Sequence, residues 1–183
     1  MYTKEFIRKS QKEKIKNLSN KQEKDLKIVN YLKKFIYPKK NILIYNPLND
    51  EPNISLLLEF FSEVTFLLPK ITSPERHELS FIERTFLTNG ELHPNSSIPI
   101  ELVDLFILPA LGFTKNGFRL GRGGGYFDRS LRNIDKNKII GVSYQEVYPI
   151  DFPVESHDLQ VGAVVTDREC FFMLDVFCSP DTI

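Results

Sequence analysis

Between Leu108 and Leu131 the chain reads Leu-Pro-Ala-Leu-Gly-Phe-Thr-Lys-Asn-Gly-Phe-Arg-Leu-Gly-Arg-Gly-Gly-Gly-Tyr-Phe-Asp-Arg-Ser-Leu, a run that gathers the parts of an anion site. Gly121, Gly123, Gly124 and Gly125 let the backbone come close to a ligand and turn its N–H groups toward anionic oxygens. Arg119 and Arg122 bring two planar guanidiniums that fork onto phosphate or carboxylate. Asp128, just beyond, is a carboxylate of the type that holds the magnesium travelling with phosphates. The pattern is not a Walker A loop, since no Gly-Lys-Ser/Thr follows at the required spacing. Nor is it G-x-G-x-x-G, because Gly121-x-Gly123-x-Gly125 has a different rhythm. The plain alternative is a surface hairpin whose glycines only make turns. Two arginines and a closing aspartate argue against that alternative.

Two further groups bear on chemistry. Lys4 and Arg8 are four apart, so a helix projects both from one face, where together they can clamp a polyphosphate. Ser156-His157-Asp158 names the members of a hydrolase triad, but adjacent residues cannot converge as a triad must. His77, His93 and His157 are too scattered for a zinc site. His157-Asp158 reads either as a loop turn or, through Asp158, as a second metal carboxylate; the residues alone leave both open.

The elements that would position these groups alternate between helix and strand. Helices are expected from Thr3 to about Lys16 and from Ser19, where Ser19 and Gln22 have capping-box spacing. Ile28, Leu32, Phe35 and Ile36 form the buried stripe of the second helix, which Tyr37-Pro38 stops. Asn41 to Tyr45 reads as a strand, Pro47 to Glu51 as a loop, and Pro52 to Phe61 as a helix opened by proline. Val64 to Leu68 reads as a strand ended by Pro69, and Glu78 to Glu83 alternates as a strand with one solvated face. Thr88 to Pro99 is loop-like in composition. The strand Val103 to Leu108 leads into the glycine loop, followed by a helix to about Arg132 and the strands Lys138 to Tyr144, Ala163 to Thr166 and Phe171 to Val176. This order predicts an α/β three-layer sandwich around a mostly parallel sheet. In such sheets ligands gather at the carboxyl ends of the strands, which places the loops after Tyr45 and Leu108 together.

The chain of 183 residues reads as a single domain, residues 1–183, long enough for a full core. Its 42% hydrophobic and 26% charged residues are those of an ordinary water-soluble domain. No apolar run approaches the ~18 residues that span a bilayer, and no apolar stretch follows the basic N-terminus as in a secretory signal. The chain is expected to be cytoplasmic, and there Cys170 and Cys178, which match no metal spacing, read as reduced structural thiols. The formal charge is zero, yet residues 1–40 carry 13 Lys and Arg against 4 Asp and Glu, so the halves of the charge distribution oppose each other. A basic helix can bind nucleic acid, but the segment has few aromatics to stack bases, so a solvated lysine face is the better reading.

The run from Leu108 to Leu131 resembles the signature of the 5-formyltetrahydrofolate cyclo-ligase (5,10-methenyltetrahydrofolate synthetase) family, Pro-Gly-x-x-Phe-Asp-x-x-Gly-x-Arg-Leu-Gly-[Tyr/Arg]-Gly-x-Gly-Tyr-Tyr-Asp. The resemblance extends to Lys4 and Arg8 as its opening Lys-x-x-x-Arg, to Glu51 after the first strand, and to Pro153-Val154-Glu155-Ser156-His157-Asp158 near the end. It implies a Rossmann-like fold with ATP as co-substrate. Lys4, Arg8 and the segment Arg119, Leu120, Gly121, Arg122, Gly123, Gly124, Gly125, Tyr126 and Phe127 would bind ATP. Arg122, Gly123, Gly124, Gly125 and Tyr126 would also border the folate, Glu51 would bond its pterin, and Asn46 would touch it. Asp128 and Asp158 would hold Mg²⁺, and Arg122, Arg119 and Lys4 would carry catalysis. The chain departs from the family at Phe127 (for Tyr), Ala110 (for Gly), Thr114 (for Asp), His93 (for Glu) and Gly162 (for Asp).

The resemblance further implies ATP-driven closure of 5-formyltetrahydrofolate to 5,10-methenyltetrahydrofolate. The formyl oxygen would attack the γ-phosphorus and N10 the activated carbon. Such chemistry needs positioning and charge neutralisation rather than an enzyme nucleophile. A monomer acting on small molecules in one-carbon metabolism is the expectation. The rivals are a silent relative that binds ATP or folate without turnover, and a nucleic-acid binder using the basic N-terminal helices.

Overall fold

The computed structural model describes residues 2–83 and 97–173. Their elements are α1 (Lys4–Lys16), α2 (Lys21–Ile36), β1 (Asn41–Leu43), α3 (Leu57–Phe60), β2 (Thr65–Ser73), β3 (Glu78–Glu83), β4 (Ser97–Ile98), β5 (Leu105–Pro109), α4 (Tyr126–Ser130), β6 (Ile139–Val142), β7 (Ala163–Val165) and β8 (Cys170–Phe172). The eight strands form one sheet in the order β4-β3-β2-β1-β5-β6-β7-β8. The centre, β2-β1-β5-β6-β7, is parallel, and antiparallel β3, β4 and β8 finish the edges. Among the described residues no helix is long and apolar enough to cross a membrane.

Strand alternation divides the core cleanly. Ile42, Leu105, Ile107, Ile140 and Val165 face a cluster completed by Ile7 and Ile15 of α1, by Ile28, Leu32 and Ile36 of α2, and by Leu57 of α3. Leu43, Phe106, Leu108, Ile139 and Val164 face the other way, onto Phe113, Leu131 and Phe127. That second layer holds the five-residue α4 and irregular chain, so the sandwich is lopsided: a proper helical layer on one face and a mostly looped one on the other. Gly141 makes the looped layer possible. A Cβ there would lie 2.3 Å from the Phe113 ring. Gly141→Ala therefore overpacks a buried site and is expected to cost about 2 kcal/mol, measured as a lower urea midpoint with unchanged m-value.

Several boundaries differ from the sequence expectation. The Ser19–Gln22 capping box does not form; Asn20, at φ 54°, precedes α2 without a side-chain cap. The helix expected from Pro52 shrinks to Leu57–Phe60, because Asn53 Oδ1 accepts the Ser55 N–H at 3.0 Å and turns the chain first. Pro69 does not end β2, which continues to Ser73. Leu67 directs its carbonyl to Ile44 of the β1 side, so Pro69, two residues on, has its ring nitrogen on that same side, where β1 has already stopped. Part of the expected 88–99 loop is β4, and residues 84–96 with His93 lie outside the described residues, as does Cys178.

The start of β1 is fixed by Asp104, whose carboxylate accepts the N–H groups of Lys40 (2.9 Å) and Asn41 (3.0 Å). The Asn41 hydrogen bond, aided by that from Lys40, holds this carboxyl below the usual aspartate range against the opposing effect of burial. Its stabilisation is present above the unfolded pKa of about 3.9 and is lost as pH falls through the lower folded value. Asp104→Asn is expected to cost about 1 kcal/mol at pH 7 and nothing below the folded pKa, so the two unfolding curves should converge in acid.

Candidate active site

Parallel order reverses between β1 and β5: β1 continues to β2 on one side, and β5 to β6 on the other. The loops leaving these two strands diverge there, and the crevice they leave is where an open α/β sheet binds its ligand. A cleft of about 730 Å³ occupies that point. Tyr45, Asn46, Leu48 and Glu51 come from the loop after β1, and Pro109, Arg119, Arg122 and Gly124 through Asp128 from the loop after β5. The β2–β3 hairpin overhangs it with Leu68, Pro69, Lys70, Ile71, Leu79 and Ile82, giving one apolar wall and one charged wall.

Two guanidiniums define the charged wall, and they are held differently. Arg122 donates Nε to Glu51 Oε1 at 2.9 Å and pairs through Nη2 with Asp50. Burial opposes its charge, but the Asp50 and Glu51 hydrogen bonds outweigh that and raise its pKa. Its side chain remains 31% exposed toward the cleft, with donors left for a ligand. Glu51 is buried and uses its other oxygen to accept the Leu48 N–H at 3.0 Å. Arg119 is buried beneath the glycine loop: Nε donates to the Pro109 carbonyl at 2.9 Å, and Nη1 lies 3.5 Å from Asp128 Oδ2. Burial lowers its pKa and Asp128 partly offsets this. The Phe127 ring covers its guanidinium at 5.2 Å, so the missing tyrosine hydroxyl leaves this cation–π contact in place.

A Cβ at Gly121 would meet Arg119 Nη1 at 2.5 Å, so a side chain there must displace the guanidinium. Gly123 and Gly125, at φ 105° and 67°, take backbone conformations that a side chain disfavours. Among the described residues no hydrogen bond takes the N–H groups of Gly123, Gly124 or Gly125. Arg8 leans on this loop from α1, with Nε on the Gly121 carbonyl at 2.9 Å and its guanidinium beside Gly123. Leu120 contributes differently: its side chain is in the core and its N–H and carbonyl pair with Gly112 and Leu111.

Lys4 and Asp158 are together, but outside the cleft lining. Lys4 Nζ lies 2.7 Å from both Asp158 oxygens, pairs with Glu155, and sits 5.7 Å from the Phe152 ring centre. Burial works against its charge, and the Asp158 and Glu155 hydrogen bonds overcome it, raising the pKa. Asp158 also accepts the Glu155 N–H at 2.7 Å. Its carboxylate is thus committed to a lysine ammonium and a backbone turn. The ligand atoms of Glu155, His157 and Asp158 lie within 4.8 Å of one another, but Asp128 is not in that group. Asp128 instead faces Arg119 and the Leu159 N–H (3.3 Å). A resident Mg²⁺ caged by Asp128 and Asp158 does not fit this donor set. Asp50 and Tyr45 are the site residues that sequence reasoning passes over; the acid adjoining Glu51 was the available signal for the first.

Two departures from the family pattern prove structural. Thr114 Oγ1 accepts the Phe118 N–H at 3.0 Å, as an aspartate in a tight turn would. Gly162 packs against the Lys136 carbonyl, where a Cβ would come within 2.6 Å.

The model of the 5-formyltetrahydrofolate cyclo-ligase family matches residues 4–167. The chain belongs to that family. A 5-formyltetrahydrofolate cyclo-ligase from Mycoplasma pneumoniae is 31% identical over 151 residues, 79% of this chain and 85% of the relative. One from Mycoplasma genitalium is 29% identical, across 69% of this chain and 72% of its own length. The structure of a 5,10-methenyltetrahydrofolate synthetase from Mycoplasma pneumoniae superimposes with a TM-score of 0.78 at 28% identity, covering 91% of this chain and 99% of that one. That of the Aquifex aeolicus synthetase gives 0.76 at 27% identity, over 94% and 93%. The mostly parallel sheet and the ligase family expected from the sequence are both found. The cyclo-ligase signature falls on the cleft: Arg119, Arg122 and Gly124 through Asp128 all line it.

Proposed function

We propose that this cyclo-ligase family member closes 5-formyltetrahydrofolate to 5,10-methenyltetrahydrofolate, converting ATP to ADP and phosphate. The observation that carries the reading is the cleft between β1 and β5, which sets an apolar wall opposite one lined by Arg122, Arg119, Gly124 and Gly125. The formyl amide oxygen is a poor leaving group until it is phosphorylated. It attacks the γ-phosphorus; an O–P bond forms, and the bond from phosphorus to the β-bridging oxygen breaks to release ADP. The N10 lone pair then attacks the activated carbon and N10 gives up its proton to solvent. The N5 lone pair expels phosphate, leaving the conjugated methenyl bridge.

No step needs an enzyme nucleophile. Arg122 meets the migrating phosphoryl group, pre-oriented by Glu51 and Asp50, so no side chain reorganises as charge develops. The glycine N–H groups cradle the remaining phosphates, with Arg8 beside them. Glu51 keeps acceptor capacity for a pterin N–H, because an ionised carboxylate has about four lone-pair sites and two are used. Lys4, neutralised by Asp158 and Glu155, meets the nucleotide only by leaving that cluster, and magnesium arrives with ATP as part of that substrate. In the second of the basic N-terminal helices Lys24 pairs with Asp167 and Glu146, and Lys27 with Glu23.

The reading is tested by the stoichiometry of ADP release. One ADP per folate consumed, with none released when 5-formyltetrahydrofolate is omitted, supports it. ADP release that ignores the folate contradicts it.

A further inference from the structure

The acids that hold Arg122 sit on an irregular loop, and that loop is anchored from behind by groups the reaction does not use. On the near side of Asp50, Lys21 Nζ of α2 donates to the Asn49 carbonyl at 2.6 Å. On the far side of Glu51, the Asp25 carboxylate faces the Asn53 backbone N–H, a weak electrostatic contact rather than an aligned hydrogen bond. Tyr45 OH, from the end of β1, donates to the Pro52 carbonyl at 2.7 Å. Asp25 is itself fixed by Tyr144 OH, 2.8 Å from its Oδ1. Tyr144 is 1% exposed at the end of β6, and Lys21 Nζ lies 5.6 Å from its ring centre.

Lys21 and Asp25 are four apart, so they leave α2 on one face, in line with buried Ile28 and Leu32. A loop alone would leave Asp50 and Glu51 with the mobility usual for connecting segments. Here the backbone on both sides of the two acids is tied to a helix of 16 residues and to the ends of two central strands. Precise placement of a guanidinium requires such support, because a misplacement on the order of 1 Å is enough to lose a large part of catalysis.

We infer that Lys21 and Asp25, with Tyr144 behind Asp25, are positioning residues for the active site: they set the Asp50–Glu51 loop and through it the direction of Arg122. None of the three lines the cleft. The inference rests on the proposed function for its turnover readout, but not for its binding readout.

The test is a double-mutant cycle between Asp25 and Glu51. Asp25→Ala is expected to lower kcat/KM for 5-formyltetrahydrofolate about tenfold, in the range of lost supporting hydrogen bonds around a reactive centre. Glu51→Gln lowers it as well. If Asp25 acts through Glu51, the double variant is little worse than Glu51→Gln alone, while the two losses in Tm still add. Lys21→Met removes a single hydrogen bond at the other anchor and keeps the fold testable if Asp25→Ala does not refold. It should show the same non-additivity with Glu51→Gln, and Lys21→Arg should restore most of the activity. The same cycle is measured in the Kd for 5-formyltetrahydrofolate by calorimetry. Multiplying losses in both kcat/KM and Kd, or wild-type values in Asp25→Ala and Lys21→Met, overturn the inference. A wild-type chain without ATP-dependent turnover whose Kd cycle is still non-additive counts against the proposed reaction and supports the positioning role.

Discussion

Arg122→Ala lowers kcat by about 10²–10³-fold, the range for removing one preorganised donor from a developing negative charge, and leaves the fold in place. The argument rests on how the side chain is held. Glu51 and Asp50 bind Nε and Nη2 from one edge, so the other edge of the fork faces the cleft. Asp50 is 23% exposed, but Glu51 is only 7% exposed and is left without its guanidinium, so removal costs about 3 kcal/mol of stability, the low end for a broken buried pair. Arg122→Lys should recover little, because an ammonium cannot span Glu51, Asp50 and a phosphoryl oxygen with one fixed plane. Steady-state kinetics beside a urea melt separates the outcomes. A near-normal kcat in Arg122→Ala contradicts the role assigned to it.

Arg119→Met fails in a different way, losing stability and turnover together. This guanidinium is 7% exposed, and its removal strips Asp128 and the Pro109 carbonyl of their partner within the wall of the cleft. Breaking a buried ion pair by deleting one partner costs about 3–5 kcal/mol; the 3.5 Å separation and the 13% exposure of Asp128 place this pair at the low end. At about 2–4 °C per kcal/mol for a chain of this size, Tm should fall by about 6–12 °C. The glycine loop rests on Arg119 at Gly121, so its free N–H groups lose their orientation and kcat/KM for ATP drops as well. The double variant Arg119→Met/Asp128→Leu should recover part of the stability, since it removes the orphaned carboxylate, without recovering turnover. Wild-type Tm in Arg119→Met would remove the structural half of this argument.

The contrast between the two arginines marks what the sequence could and could not convey. Both stand in one motif at three-residue spacing, and residue type assigns both to phosphate. Only the fold separates them, by bending the loop so that Arg119 turns back under it to Pro109 and Arg122 reaches across to the loop after β1. The glycine cluster, the apolar strands and the meeting of two loops at the carboxyl ends of β1 and β5 were legible because each rests on local composition or strict alternation. Pro69 was misleading because its tolerance depends on where a neighbouring strand stops, which is not local information. The Asp158 carboxylate was expected at a metal from the family resemblance alone; its pairing with Lys4, 154 residues away, leaves no local signal. Asp25 carried no signal for the same reason: on an exposed-looking lysine-rich helix, nothing local points to Tyr144 or to Asn53.

The central claim, ATP-driven ring closure by this cleft, is met most directly by the ultraviolet absorbance of the purified chain with 5-formyltetrahydrofolate, Mg²⁺ and ATP. The conjugated methenyl product absorbs at longer wavelength than the formyl substrate. The account predicts that this band grows at a rate proportional to protein and disappears when ATP is withheld. A flat trace from folded protein that still binds ATP would contradict it.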